Sequence, residues 1–204
     1  MTQNAKVVAF DCDGVLFDTK MANKAYYNRI LTHFNRPELT VEQFSYVHMH
    51  TVDAAIAFLF KEHRRIESAH RFRKSMCYAD FFKYMKIEPY LVRLLEKPSR
   101  KYKTAIATNR SDTMEPLLAE FNIKGYFDLV VTSLDVKRAK PHPDPLLKIL
   151  DHFGIRASQA IYIGDSRVDE LASAAAGIPF IAYDNTNLTA KLHIRNLKEL
   201  DGIL

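Results

Sequence analysis

At 204 residues, with 48% hydrophobic and 26% charged side chains, the chain is long enough to bury the core of one large domain or two small ones. The longest apolar run, residues 54–60, is seven residues, far short of the roughly 18 a membrane helix needs, and the apolar patch before Asp11 meets charge at once, so neither a membrane span nor a secretory leader is read and a cytoplasmic location is expected. The net charge of +5 is uneven: residues 20–95 hold 13 Lys and Arg against 7 Asp and Glu, net +6, while the remainder is close to balance.

Such a basic segment can attract an anionic small molecule, but most of its charges read as a solvated helix face. No nucleic-acid-binding motif accompanies it, and no nucleic-acid partner is expected. Cys12 and Cys77 lack metal-binding spacing and read as reduced thiols.

In chain order, residues 6–10 (KVVAF) form the first predicted strand. Its unbroken apolar character suits a parallel strand buried on both faces. Residues 20–95 contain no glycine, and apolar residues recur at helical spacing: Tyr26, Ile30, Leu31 and Phe34, then Ala55, Ile56, Leu59 and Phe60. Thr40 with Gln43 predicts a capping box, and Thr51 a cap on the helix that follows. This segment is expected to be an all-helical domain inserted after the first strand, with Pro89 and Pro98 bracketing its exit.

Beyond it, strands and helices alternate. Strands are predicted at 103–107, 128–132, 160–163 and 180–183, with helices over 112–121, after Pro143 and through 171–176. A short strand and a last helix are expected in the tail. The alternation predicts an α/β fold, a doubly wound parallel sheet, from residues 1–19 and 96–204, with the helical domain at 20–95.

In such sheets ligands bind beyond the carboxyl ends of the strands. The first strand is followed there by Asp11 and Asp13, the second by Thr108, Asn109 and Arg110, the third by a loop with Lys140, and the fourth by Asp165 and, one helical turn on, Asp169. Several carboxylates on one rim cannot all ionise without a compensating cation. Oxygen ligands without His or Cys favour a hard ion, magnesium by preference. Lys140, Thr108 and Asn109 supply donors for an anion with several oxygens, and a metal facing a lysine across one anion is a recurring arrangement for phosphoryl transfer. Two aspartates at i and i+2 of an extended segment can share a site in different roles, one as nucleophile and one carrying a proton. Gly14 permits the tight turn after them.

The four segments DCDGVLFDT, TNR, KPHPDP and GDSRVDE, in that order, resemble the motifs of the haloacid dehalogenase superfamily of phosphatases and phosphomutases, and the helical insertion resembles its C1 cap. The resemblance implies Asp11 as nucleophile and magnesium ligand. It implies Asp13 as general acid and base, binding the metal through its backbone carbonyl. Thr108, Asn109 and Lys140 would hold the phosphoryl group, Asp165 would bind the metal, and Asp169 would support it through water or an outer contact. The implied substrate is a small phosphorylated metabolite. The leading reading is a phosphoglycolate-phosphatase-like hydrolase, with a β-phosphoglucomutase-like mutase as the alternative and a non-catalytic regulatory protein on the same fold behind both. Asp13 argues against a dehalogenase, which has no leaving oxygen to protonate. Arg110 is open between reaching the substrate and lying at the rim. His48, His50 and Thr51 fall where the cap selects the substrate in relatives, with surface positions the alternative.

Overall fold

The computed structural model describes residues 5–97 and 101–204; Pro98, expected to help close the helical segment, lies outside the described residues. The chain divides into two compact units, one built from the residues up to Asp18 together with Ile87–Leu204, the other from Thr19–Lys86.

In the first unit six parallel strands form one sheet: β1 (Val7–Phe10), β2 (Lys103–Ala107), β3 (Leu129–Val131), β4 (Ala160–Gly164), β5 (Phe180–Tyr183) and β6 (Leu192–Ile194). Their spatial order is β3-β2-β1-β4-β5-β6. The most apolar strand is thus central, as expected, and its four residues are at most 1% exposed. Phe10 pairs with Ile106 on one side and Ile163 on the other. Asp11, Thr108 and Asp165 therefore emerge from three adjacent strands at nearly one level. That register gathers the polar residues onto one rim.

Helices α7 (Asp144–Phe153) and α8 (Arg167–Ala176) bury Leu146, Ile149, Ala172 and Ala176 against Val7, Ala9, Ala105 and Tyr162. Two shorter helices, α5 (Leu91–Leu95) and α6 (Met114–Glu120), also belong to this unit, and the tail closes with a 3₁₀ turn over Leu197–Gly202.

The second unit contains α1 (Lys20–His33), α2 (Val41–Met49), α3 (Val52–Phe60), α4 (His63–Ser75) and a 3₁₀ helix over Tyr78–Tyr84. The helical period read from the sequence is the one buried: Tyr26, Ile30, Leu31, Ala55, Ile56, Leu59 and Phe60 are all core residues, with Phe34 half-buried against Phe60 at 5.2 Å between ring centroids. The Thr40–Gln43 capping box forms reciprocally, at 3.2 and 3.0 Å.

The helical unit ends at Lys86, nine positions before residue 95. The segment after it belongs to the sheet unit for a clear reason. Buried Glu88 accepts hydrogen bonds from the Tyr90 amide (2.7 Å) and the Leu197 amide (3.1 Å), and the Tyr90 hydroxyl bonds Asp201. Leu197 and Asp201 lie in the C-terminal turn, far away in sequence. Among the described residues no helix is long and apolar enough to cross a membrane.

Candidate active site

Asp11 sits on rigid backbone. Its amide continues the β1–β4 ladder by donating to the Ile163 carbonyl at 2.8 Å. The chain then turns sharply, with the Gly14 amide donating to the Phe17 carbonyl at 2.8 Å. Gly14 has φ +85°, and a Cβ there would fall 2.1 Å from Asp165 Oδ2, so the residue is required both by backbone conformation and by the approach of a carboxylate. Gly164 answers a similar demand: a Cβ on it would lie 2.4 Å from Asp169 Cβ.

Lys140 lies at the centre of the site, with a side chain 1% exposed. Its ammonium donates to Asp11 Oδ1 (2.8 Å), Asp169 Oδ1 (2.6 Å) and the Tyr162 hydroxyl (2.8 Å). Burial alone would favour neutral lysine, but the charges of Asp11 and Asp169 outweigh it and hold the ammonium above its ordinary range. Asn109 Nδ2 donates to the Lys140 carbonyl at 3.0 Å, tying the β2 turn to the lysine loop. The buried Thr108 hydroxyl accepts from the Arg110 amide at 3.1 Å, which leaves its own proton for another acceptor.

Asp11, Asp165 and Asp169 each place one carboxylate oxygen within 4.8 Å of the others. Burial first, then repulsion from Asp169, pushes the Asp11 carboxyl up from 3.8 to about 7, with Lys140 opposing the rise. The same two causes push Asp165 well above the carboxylate range. Three clustered carboxylates with oxygen-only donors fit a hard divalent cation. The members are not equivalent. Fully buried Asp169 already accepts from Lys140, Tyr162 (2.7 Å), the Ser166 amide (3.1 Å) and the Ser166 hydroxyl. Those four donors occupy the usual capacity of a carboxylate and suit an outer-shell position better than direct ligation. The Asp13 carboxylate is not in this cluster.

Asp13 instead lies in the fork of Arg110, the residue left open in the sequence between reaching the substrate and lying at the rim, whose side chain is buried here. Arg110 Nε and Nη2 each donate to one Asp13 oxygen at 2.7 Å, and Nη1 reaches the Thr113 hydroxyl at 3.2 Å. The two side chains are 6% and 15% exposed. A planar guanidinium matched to both oxygens is the geometry that makes such a pair strong, and removing water strengthens it further.

The remaining predicted residues have partners inside the helical unit. His48 Nδ1 pairs with Asn23 Nδ2 at 2.9 Å, and its ring stacks on Phe44 at 5.2 Å. His50 Nδ1 donates to the Tyr46 carbonyl at 2.8 Å while its ring stacks on Tyr46 at 3.9 Å. That bond fixes the proton of the neutral ring on Nδ1. Thr51 caps α3, accepting from the Ala54 amide at 3.3 Å.

Tyr162 escaped the sequence reading. In AIYIG it passes for one more apolar strand residue. The available signal was a phenol in a central strand, whose hydroxyl must find a partner when buried.

Residues 8–183 match the sequence model of a family described as haloacid dehalogenase-like hydrolase. A phosphoglycolate phosphatase of Photorhabdus laumondii is 41% identical over 91 residues, which are 44% of this chain and 39% of that protein. One from Escherichia coli is 42% identical over 77 residues, 37% of this chain and 31% of that protein. These matches thus span well under half of either relative. Among solved structures, a haloacid dehalogenase-superfamily hydrolase of subfamily IA from Geobacter sulfurreducens is 36% identical, covers 98% of this chain and 96% of its own, and superposes with a TM-score of 0.78. A β-phosphoglucomutase from Clostridium difficile has the same fold, with a TM-score of 0.84 at 17% identity over 96% of this chain and 93% of its own.

Proposed function

The chain belongs to the haloacid dehalogenase-like hydrolase family, and from that premise we propose that it is a magnesium-dependent phosphatase of a small phosphorylated metabolite, working through an aspartyl-phosphate on Asp11. The observation that carries this reading is the contact of Lys140 Nζ with Asp11 Oδ1 at 2.8 Å, inside a group of three carboxylates. A nucleophilic carboxylate needs an adjacent cation to meet a phosphoryl anion, and this one has a lysine in place and oxygen donors for a metal.

The Asp11 and Asp165 carboxylates and the Asp13 backbone carbonyl would hold the ion, with Asp169 supporting from outside. When bound, magnesium supplies charge neutralisation and orientation for the phosphoryl oxygens. Lys140, Thr108 and Asn109 bind those oxygens. An Asp11 oxygen attacks phosphorus and the P–O bond to the leaving group breaks. Asp13, released from Arg110 and protonated, gives its proton to the departing oxygen. Asp13 then takes a proton from water, which attacks the phosphoaspartate and frees phosphate and Asp11. The helical unit serves as a cap, and His48, His50 and Thr51 select the substrate. Among substrates, phosphoglycolate comes first, since phosphoglycolate phosphatases are among the relatives matched.

A screen with magnesium across phosphoglycolate, sugar phosphates, nucleotides and pyrophosphate tests the reading. It should find one class from which inorganic phosphate is released, and Asp11→Asn should abolish release. Transfer to a sugar without phosphate release would replace hydrolysis with mutase chemistry. No release from any compound would overturn the phosphatase reading.

A further inference from the structure

The buried ammonium of Lys140 has three N–H donors and three acceptors placed around it: Asp11 Oδ1, Asp169 Oδ1 and the Tyr162 hydroxyl. Two of these are carboxylates that the site needs for other work. The third is a neutral phenol, 0% exposed, on the strand whose end carries Asp165. Its oxygen accepts from Lys140 and its single proton faces two acceptors, Asp169 Oδ1 at 2.7 Å and the Ala107 carbonyl at 3.1 Å. Ala107 directly precedes Thr108. One hydroxyl therefore touches the lysine, the carboxylate that steadies it and the turn that carries the other proposed phosphate donors.

With all three N–H groups satisfied internally, Lys140 can bind a phosphoryl oxygen only by giving up one partner. Losing Asp11 would detach the lysine from the nucleophile, and losing Asp169 would break the shortest and charge-assisted contact. The phenol is the neutral acceptor, and neutral hydrogen bonds are the weaker ones. Its own proton keeps a partner after the change. We infer that Tyr162 is a positioning residue for phosphoryl binding: it holds Lys140 against Asp11 in the resting site and is the contact that yields its N–H to the incoming phosphoryl oxygen. This deepens the phosphatase reading and rests on it.

Deleting only the hydroxyl should have opposite effects on binding and rate. Tyr162→Phe leaves one Lys140 N–H without its resting acceptor, so the phosphoryl group no longer has to displace a bond. Binding should tighten about two- to ten-fold, the range for one net hydrogen bond. Lys140 is then held by two partners instead of three, and kcat should fall by about ten-fold as its placement on Asp11 loosens. A merely structural role does not lower KM while lowering kcat.

The experiment uses the magnesium-loaded full chain with inorganic phosphate as the ligand, by calorimetry, alongside steady-state kinetics on p-nitrophenyl phosphate. In Tyr162→Phe, tighter phosphate binding with lower kcat supports the inference; unchanged or weaker binding, or wild-type kcat, overturns it. In a Lys140→Met background the same change should leave phosphate affinity unmoved, and tightening there too would overturn action through the lysine. Should the Phe variant not fold, 3-fluorotyrosine placed at Tyr162 alone reports on the intact site: its ¹⁹F resonance should shift on adding phosphate, and a static resonance overturns the inference. If the wild-type chain neither hydrolyses any phosphoester nor binds phosphate, the phosphatase reading falls and takes this with it. If the wild type does both and the variant matches it, this inference falls alone.

Discussion

Charge is used in opposite ways by the two units. In the sheet unit the decisive ion pairs are buried and join residues far apart in sequence: Lys140 to Asp11 and Asp169, and Arg110 to Asp13 across 97 positions. In the helical unit they are exposed: Arg29–Asp80 at 52% and 50% exposure, and Arg65–Glu62 at the start of α4. A fixed charge in a low-dielectric setting acts strongly on its neighbours, whereas a solvated one is screened. The helical unit is the more basic by count and the sheet unit is the one whose charges can do chemistry. Net charge per segment is thus a poor guide to the location of a site.

Removing the nucleophile draws the contrast most sharply. Asp11→Asn should lower turnover by about 10⁴-fold or more and prevent a phosphoenzyme from forming, on the scale seen when a covalent nucleophile is removed. Acid-quench trapping with a ³²P-labelled substrate checks this; a trapped phosphoenzyme in the Asn variant would move the nucleophile elsewhere. Asp13→Asn should fail differently. General acid–base assistance is worth about 10²–10⁴-fold, and the loss should shrink with p-nitrophenyl phosphate, whose leaving group needs little protonation, while dephosphorylation stays slow. Normal phosphoenzyme turnover in this variant would remove Asp13 from that role.

The two arginine pairs allow a direct comparison in stability. Arg110→Ala removes the two-point partner of a mostly buried Asp13 carboxylate and should cost about 3–5 kcal/mol. Arg29→Ala opens a half-exposed pair and should cost under about 1 kcal/mol. Urea unfolding of both variants decides it. Equal costs would mean that the Asp13–Arg110 fork is as well solvated as a surface bridge.

Metal and pH give a further contrast. Burial, then repulsion from the neighbouring carboxylates, raises the carboxyls of Asp11, to about 7, and of Asp165. The folded chain then keeps protons that an unfolded aspartate releases above about 3.9. Their contribution to stability is therefore present at low pH and lost as pH rises toward 7. Magnesium needs the deprotonated forms, so its stabilising effect should grow over the same interval. Melting temperatures from pH 5 to 8, in chelator and in excess magnesium, should diverge as pH rises. Parallel curves would refute a metal site built on these carboxylates.

The fold was legible because its signals are local. KVVAF is apolar throughout and becomes the central strand; each later apolar segment ends in polar residues, and parallel register brings those ends together. Asp11, Thr108, Lys140 and Asp165 could be placed on one rim from strand ends alone. What the chain concealed depends on side chains meeting across the fold. Nothing near Arg110 in sequence announces Asp13. Tyr162 reads as core because its ring is core, and only its hydroxyl is not. The end of the helical unit was misplaced because Glu88 and Tyr90 are anchored by Leu197 and Asp201, more than a hundred positions away. Local periodicity carries no trace of such a tie.

The smallest expected effect lies in the helical unit, and it tests whether that unit has any share in the chemistry. His48 and His50 are both held against aromatic rings, Phe44 and Tyr46, as His33 is against Phe72. The Nδ1–H of His50 is fixed on a backbone carbonyl, which leaves Nε2 of the neutral ring as an acceptor with a defined direction. A group oriented in this way can discriminate among leaving groups bearing hydroxyls or amides, and one such contact is worth about two- to ten-fold. His48→Ala and His50→Ala should therefore reduce kcat/KM by that factor on the substrate found in the screen while sparing p-nitrophenyl phosphate, whose leaving group offers little for an imidazole to recognise. Equal losses on both substrates would assign the histidines to holding α2 in place through Asn23 and Tyr46. No loss on either would leave substrate choice to the sheet unit and reduce the helical unit's part to something other than recognition by these two rings.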